Sequence, residues 1–526
     1  MKKPVGELIL KGTITIQVFM ILAKIMGFLQ KMVIAFFAGT GAEADTYLWA
    51  YSGLIFTFMV IPQQLVAPVL PVFVSRRKSD GEREAWRFLG STGLLLTIGM
   101  LTFVLAAMWG AEHLVRATSQ FNSTGSQFHL AVALTRIMLP SALFMGLFSF
   151  AVLIMHADKR FALPAFGETL NRIIIVAVTV ILFSTLGVKA IGVGIVAGSA
   201  ACLFLLLLGF RNKWPLLFVR PSFHDSSLSQ LRKLVPPILL GILIAQGRSM
   251  LDLWFVSGMA EGKTASLMYA KSLADTLILL IAFPVGIVAY PYFSDLASEK
   301  DKHEAAQTLM NVVRIMIFIF APISVGIVLL RFPIVRLVFE RGKFISDSVE
   351  LTASPFLFYA IGLTAFAVEI VFMRFYFALK DTLTPIIVGI VCTVIHISVV
   401  IIFHETLSHQ SIALAALISK SVKVTVLYWL LKSRIPNMQF AKNVVFGLKI
   451  SAAAAIMGFA VYFLRQYTGV LFPIMSSMSS IGKSARLACQ LGVCVSGGIL
   501  VFVTTACALR IEEAGVILAR IRKSRH

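Results

Sequence analysis

Val18–Gly39 reads VFMILAKIMGFLQKMVIAFFAG, an apolar run long enough to cross a bilayer that nevertheless carries Lys24 and Lys31. The chain turns at Thr40-Gly-Ala-Glu-Ala-Asp45 and re-enters as TYLWAYSGLIFTFMVIPQQLVAPVLPVFV, Thr46–Val74. The same hairpin returns further along. Ala42-Glu-Ala-Asp-Thr46 answers Ala260-Glu-Gly-Lys-Thr264, Tyr51 answers Tyr269, and Pro71-Val-Phe-Val-Ser75 answers Pro291-Tyr-Phe-Ser294. Lys159-Arg-Phe-Ala-Leu-Pro164 answers Lys380-Asp-Thr-Leu-Thr-Pro385. The offset stays between 218 and 221 residues, so the chain is a duplicated unit with charge inside each copy's first hairpin.

At 526 residues, 58% hydrophobic and only 14% charged, with mean hydropathy +0.89, this is no ordinary soluble protein. Apolar windows of ~20 residues recur along the whole length, each enough for a helix to cross ~30 Å of hydrocarbon. Long alternating strands are missing, which argues strongly against a β-barrel. The N-terminus lacks the small-residue cleavage site of a signal peptide, so the first helix is expected to be retained. The expectation is an all-α polytopic membrane protein of about fourteen transmembrane helices: two pseudo-symmetric six-helix lobes plus two C-terminal helices. The lobes occupy 1–215 and 216–435. Residues 436–526 hold the two additional helices and a basic cytoplasmic tail.

The net charge of +22 has a topological explanation, because Lys and Arg concentrate in cytoplasmic loops. With both termini inside, the inner loops hold Arg76, Arg77, Lys78, Lys159, Arg160, Arg211, Lys213 and the tail cations; no nucleic-acid partner is implied. Arg331, Arg336, Arg341 and Lys343 fall outside by this count, and an amphipathic surface helix near 333–340 accounts for them by snorkelling. The five cysteines sit in apolar segments without metal or redox spacing and read as small buried hydrophobes.

Charge inside the spans carries the functional reading, since it usually faces a cavity or a partner. Lys24 and Lys31 lie two turns apart on one helix face, with no acid three or four residues away. Arg248 and Asp252, and likewise Lys271 and Asp275, stand at i,i+4, either as intrahelical pairs or as site residues. Aligning the repeats puts Gln30 opposite Arg248. These residues point to a shared, net-positive chamber suited to a phosphate or pyrophosphate head. Asp45 reads equally as a helix N-cap or a site residue. Arg136, Arg172 and Arg314 read as snorkelling, Glu369 with Arg374 as a structural pair, and Lys420 and Lys423 as lining the second lobe or marking the inner end of a helix. Pro62, Pro68, Pro71, Pro284 and Pro291 break the second helix of each hairpin, for gating or for packing. No Walker loop, nucleophile triad or metal-ligand set is present, so neither an enzyme nor a cofactor is expected.

Gly27-Phe28 with Ala44-Asp45, Arg160-Phe-Ala-Leu-Pro-Ala-Phe166 with Asn171, Phe223-His-Asp225, Val338-Phe-Glu-Arg-Gly-Lys-Phe344, Phe375-Tyr376, Lys380-Asp-Thr382 and Thr384-Pro385 together resemble the MurJ (MviN) lipid II flippases of the multidrug/oligosaccharidyl-lipid/polysaccharide exporter superfamily. The resemblance implies fourteen helices, alternating access across the bacterial inner membrane, and a groove for the polyprenyl tail on the last two helices. It implies a monomer that takes a polyprenyl-pyrophosphate-linked glycan, meets membrane lipids and works beside cell-wall synthesis proteins. Residue by residue, Lys24 matches a family arginine of helix one, a second falls on Gln30, the helix-two arginine on Phe58, the helix-two acid on Gln63 and the helix-eight arginine on Ser272. Asp45 matches a family acid. Lys24, Gln30, Lys31, Arg248, Lys271 and Ser272 are thus the expected substrate-binding set, with Asp45, Asp252, Asp275 and Gln63 gating or tuning charge. Rival readings are a flippase for another polyprenyl-linked glycan, a drug/cation antiporter, and a transport-inactive scaffold.

Overall fold

The computed structural model describes residues 5–66, 68–158, 160–211, 226–298, 302–434, 440–471 and 480–515. The polar connector with Phe223-His-Asp225, Lys159, most of the Ser/Gly-rich loop before α14 and the basic tail lie outside the described residues. Among the described residues every regular element is helical. The first, α1, is Val5–Ala38. After it come α2 (Ala42–Ser79), α3 (Glu82–Trp109), α4 (Ser126–Ala157), α5 (Ala162–Leu186), α6 (Lys189–Gly209) and α7 (Ser226–Ser257). Then follow α8 (Lys263–Leu296), α9 (Lys302–Phe339), α10 (Ser346–Ala378), α11 (Leu383–Leu407), α12 (Gln410–Arg434), α13 (Phe440–Leu471) and α14 (Ser480–Ala508).

Thirteen helices among the described residues are long and apolar enough to cross a membrane. The all-α polytopic class expected from the sequence is therefore borne out. Ile387, Val394 and Ile402 on α11 and Leu500 on α14 are 58–66% exposed, a belt that only hydrocarbon can cover cheaply. The protein is a multi-pass membrane protein.

Local departures from a plain helix follow from the sequence. Both second-hairpin helices contain a π-helical stretch, Ala50–Ile55 in α2 and Ile278–Ala282 in α8. The latter ends just before Pro284, which has no N–H to continue the ladder. A short amphipathic helix, Ala111–Thr118, follows α3; hydropathy alone does not reveal it. No separate surface helix occupies 333–340, contrary to expectation. Instead α9 runs unbroken through Pro322 and Pro333 to Phe339.

By packing the chain forms two compact units: Met1–Ala265 with Arg341–Phe344, and Ser266–Glu340 with Ile345–His526. The lobe boundary expected near 215–216 lies outside the described residues.

The first unit has a core of Phe73, Trp86, Phe88, Phe148, Ile154 and Leu206 from α2, α3, α4 and α6, with Phe73 edge-on to Trp86. Its other fixture is the segment Arg341–Phe344. Lys343 N–H donates to the Phe36 carbonyl at 2.9 Å, and Lys343 Nζ lies over the Phe183 ring. Gly39 and Gly342 both have φ near +60°, and a Cβ on Gly39 would stand 2.6 Å from the Lys343 carbonyl oxygen. The cation that seemed misplaced on the outer face is therefore docked against the end of α1, and glycine is required on both sides of that contact.

In the second unit α13 and α14 pack on α9 through Phe318, Leu330, Phe446, Ile450, Met457 and Phe502. Arg314 does not snorkel. Its guanidinium donates twice to Asn443 Oδ1, at 3.1 and 2.8 Å, and covers the Phe446 ring. Pro333 leaves the Leu329 carbonyl without its i+4 donor, and Arg465 supplies one at 2.8 Å. Arg465→Met is expected to cost about 1–3 kcal/mol through that orphaned carbonyl. Thermal unfolding of the detergent-solubilised protein reads this, and an unchanged midpoint would mean that the carbonyl does not depend on Arg465.

Candidate functional site

Helix α1 is long and almost wholly apolar, so its few polar side chains stand out. Lys24 is exposed and has no ion-pair partner among the described residues; Lys31 is half-buried. Gly27 lies between them on the same face, at i+3 from Lys24 and i−4 from Lys31. Over that face reaches Arg172 of α5. Its Nε would be 3.9 Å from a Cβ placed on Gly27, and its Nη1 donates to Gln30 Oε1 at 3.0 Å. Gln30 is buried, 4% exposed, so the amide is oriented by the guanidinium rather than open to a ligand. Snorkelling does not describe Arg172: it turns onto α1 at Gly27 and Gln30. Its partner lies 142 residues away, which no local spacing rule could have found.

The second feature joins the first turns of α2 and α8. Asp45 is buried, and its Oδ2 accepts from Gly262 N–H at 2.6 Å while Oδ1 accepts from Ala265 N–H at 2.7 Å. It thus caps the start of α8, not its own helix. In return Glu261 Oε1 accepts from Ala42 N–H at 2.7 Å. Each helix start is capped by a carboxylate from the other, at the repeat-related stretches Ala42–Thr46 and Ala260–Thr264. A helix N-terminus carries partial positive charge, so both caps are electrostatically matched.

Helix α7 lies against α2. A Cβ on Gly53 would meet Leu253 at 3.1 Å, and Thr57 Oγ1 approaches Gln246 Oε1 at 3.4 Å. Arg248 and Asp252, one turn apart on α7, are both half-buried, as is Gln63 on α2. In the second unit Lys271 is half-buried and Asp275 exposed, with no ion pair between them among the described residues. Ser272 is buried and spends its hydroxyl on the Tyr269 carbonyl of its own helix at 2.8 Å. Glu369 does not pair with Arg374, whose guanidinium covers Phe283 and Tyr290; its partners are Lys420 and Lys423.

The family profile described as "MurJ: Lipid II flippase MurJ" matches residues 32–481. The chain belongs to this family. It is 24% identical over 400 residues to a probable lipid II flippase MurJ of Bdellovibrio bacteriovorus, covering 75% of this chain and 76% of that one. With the Rhizobium meliloti protein of the same description it shares 24% over 521 residues, 95% and 93% of the two chains. The fold is similar to a solved lipid II flippase MurJ in an inward closed conformation, with TM-score 0.77 and 22% identity over 94% of this chain and 99% of that one. A multidrug resistance MATE family transporter of the MOP superfamily, inward-facing, gives TM-score 0.64 at 14% identity, covering 78% and 94%.

Phe58, onto which the resemblance is expected to put a family arginine, packs edge-on against Phe103 with ring centroids 5.0 Å apart. Position 58 is apolar packing. Gln30 keeps a guanidinium beside it because Arg172 brings one from α5.

Proposed function

We propose that the chain is a lipid II flippase of the bacterial inner membrane, moving a polyprenyl-pyrophosphate-linked peptidoglycan precursor from the cytoplasmic to the outer leaflet by alternating access, with both termini cytoplasmic. It acts as a transporter, without enzymatic chemistry. Family membership supports this reading, and one observation supports extending it to the residues: Arg172 packs over Gly27 and bonds Gln30 on α1, the helix whose apolar span also carries Lys24 and Lys31. Cations held there suit a pyrophosphate, which accepts charge-assisted hydrogen bonds from each. Arg248 adds to the set from α7. Asp45 and Glu261 latch the starts of α2 and α8 together and release them as access alternates.

The test is rescue of a flippase-depleted strain, paired with a headgroup-accessibility assay in vesicles carrying lipid II. Wild type is expected to restore growth and translocation, and Lys24→Ala to lower the translocation rate about tenfold or more, the worth of one charge-assisted bond. Growth with neither overturns the peptidoglycan assignment. The apolar Phe58 and self-bonded Ser272 favour a second reading, a different polyprenyl-linked glycan, and vesicles loaded with that cargo separate the two.

A further inference from the structure

The second unit holds a charge cluster that the lipid II reading leaves unused. Glu369 of α10 pairs with Lys420 Nζ at 3.0 Å and accepts a hydrogen bond from Lys423 Nζ at 2.8 Å. The two lysines stand three residues apart near the middle of α12, so both ammonium groups share one face. Their side chains are 33% and 15% exposed and that of Glu369 14%. Lys420 also lies 4.8 Å over the Phe366 ring, and Lys423 borders Gly389 of α11 at the distance a Cβ there would touch. His396 of α11 is buried beside Ser419. Arg374 is turned away onto its aromatic partners.

A pair that merely permits insertion needs one lysine per carboxylate. Here two ammonium groups face one carboxylate, and among the described residues one positive charge stays uncompensated inside a span, where such charge marks a site or a pathway. Each oxygen of Glu369 takes one ammonium, as two oxygens of a phosphate would. Lysine binds phosphate as a point charge that can change partners without losing a fixed fork.

We propose that Lys420 and Lys423 form a phosphate-binding site in which Glu369 is the resident stand-in anion. A phosphate or pyrophosphate group displaces the carboxylate from between the two ammonium groups. The displaced carboxylate is then left in a low-dielectric setting without its partners, so it competes to return. That competition keeps the affinity low enough for release, which a transport pathway requires. The site is separate from the α1 face and does not depend on the cargo being lipid II.

Binding of inorganic pyrophosphate to the detergent-solubilised full chain tests this directly. Glu369→Gln removes the competitor and is expected to bind about tenfold more tightly than wild type, a loss of one charge-assisted contact's worth of competition. Lys420→Gln leaves a balanced Glu369–Lys423 pair and is expected to bind about tenfold more weakly with an unchanged melting temperature. Equal affinity in wild type and Lys420→Gln overturns the proposal, and does so even where Glu369→Gln fails to fold. Repeating both variants in a Lys24→Gln background separates this site from the α1 face. The differences persist if the site is independent, and their disappearance overturns it. Nanodiscs of phosphatidylglycerol against phosphatidylcholine then identify the source: competition by the anionic lipid assigns the site to membrane phosphates, and no competition assigns it to a soluble or cargo phosphate.

Discussion

Asp45→Asn is expected to abolish rescue of a flippase-depleted strain, although the side chain keeps its shape. Both carboxylate oxygens of Asp45 accept from backbone N–H groups, those of Gly262 and Ala265. Asparagine offers one acceptor, so one of those N–H groups would face an NH₂, donor against donor. The lost charge also stood at the N-terminus of α8, where an anion contributes about 0.3–2 kcal/mol. Each charge-assisted bond adds about 1.5–3 kcal/mol, and a buried donor left unpaired costs a similar amount again. Glu261→Gln is the built-in contrast. Glutamine keeps an oxygen for Ala42 N–H, and Glu261 is exposed, so growth should be close to normal. Growth of both variants at the wild-type rate, with equal protein in the membrane, would remove the reciprocal caps from the mechanism. A melting temperature measured alongside separates a destabilised fold from a stable protein that no longer transports.

The membrane makes some of this molecule easy to read from its sequence. Hydrocarbon thickness imposes apolar runs of fixed length, so the spans from α2 to α14 lie where hydropathy places them. The duplication was legible because its two hairpins kept the same turn residues, and the reciprocal caps sit at those residues. The polar partnerships were not legible. Arg172 meets Gln30 across 142 residues and Arg314 meets Asn443 across 129, while Glu369 finds Lys423 across 54. Helical spacing rules see only neighbours three or four residues apart, so from spacing alone each arginine reads as a snorkelling side chain and Glu369 as the partner of Arg374. Pro333 misled for a related reason. Its local effect is to stop a helix, yet Arg465 from a distant helix meets the carbonyl it frees, and α9 continues.

Exchanging Gln30 and Arg172 should separate the charge on the α1 face from the scaffold that delivers it. Arg172→Gln alone removes the guanidinium that lies over Gly27 and leaves Gln30, 4% exposed, without its partner. Two costs follow: an unpaired buried amide, about 1–3 kcal/mol, and one fewer charge-assisted bond to the cargo, about 1.5–3 kcal/mol. Translocation in vesicles is expected to fall by about 10- to 100-fold. Arg172→Lys should recover only part of that, because an ammonium cannot reproduce the planar fork. The double variant Gln30→Arg with Arg172→Gln places the guanidinium on α1 and restores an amide partner from α5. It is expected to translocate within a few-fold of wild type, a non-additive recovery of the kind that contacting residues show. Were the double variant as inactive as Arg172→Gln alone, the guanidinium would be acting as a brace between α1 and α5, and the pyrophosphate would have to be held by Lys24, Lys31 and Arg248 without it.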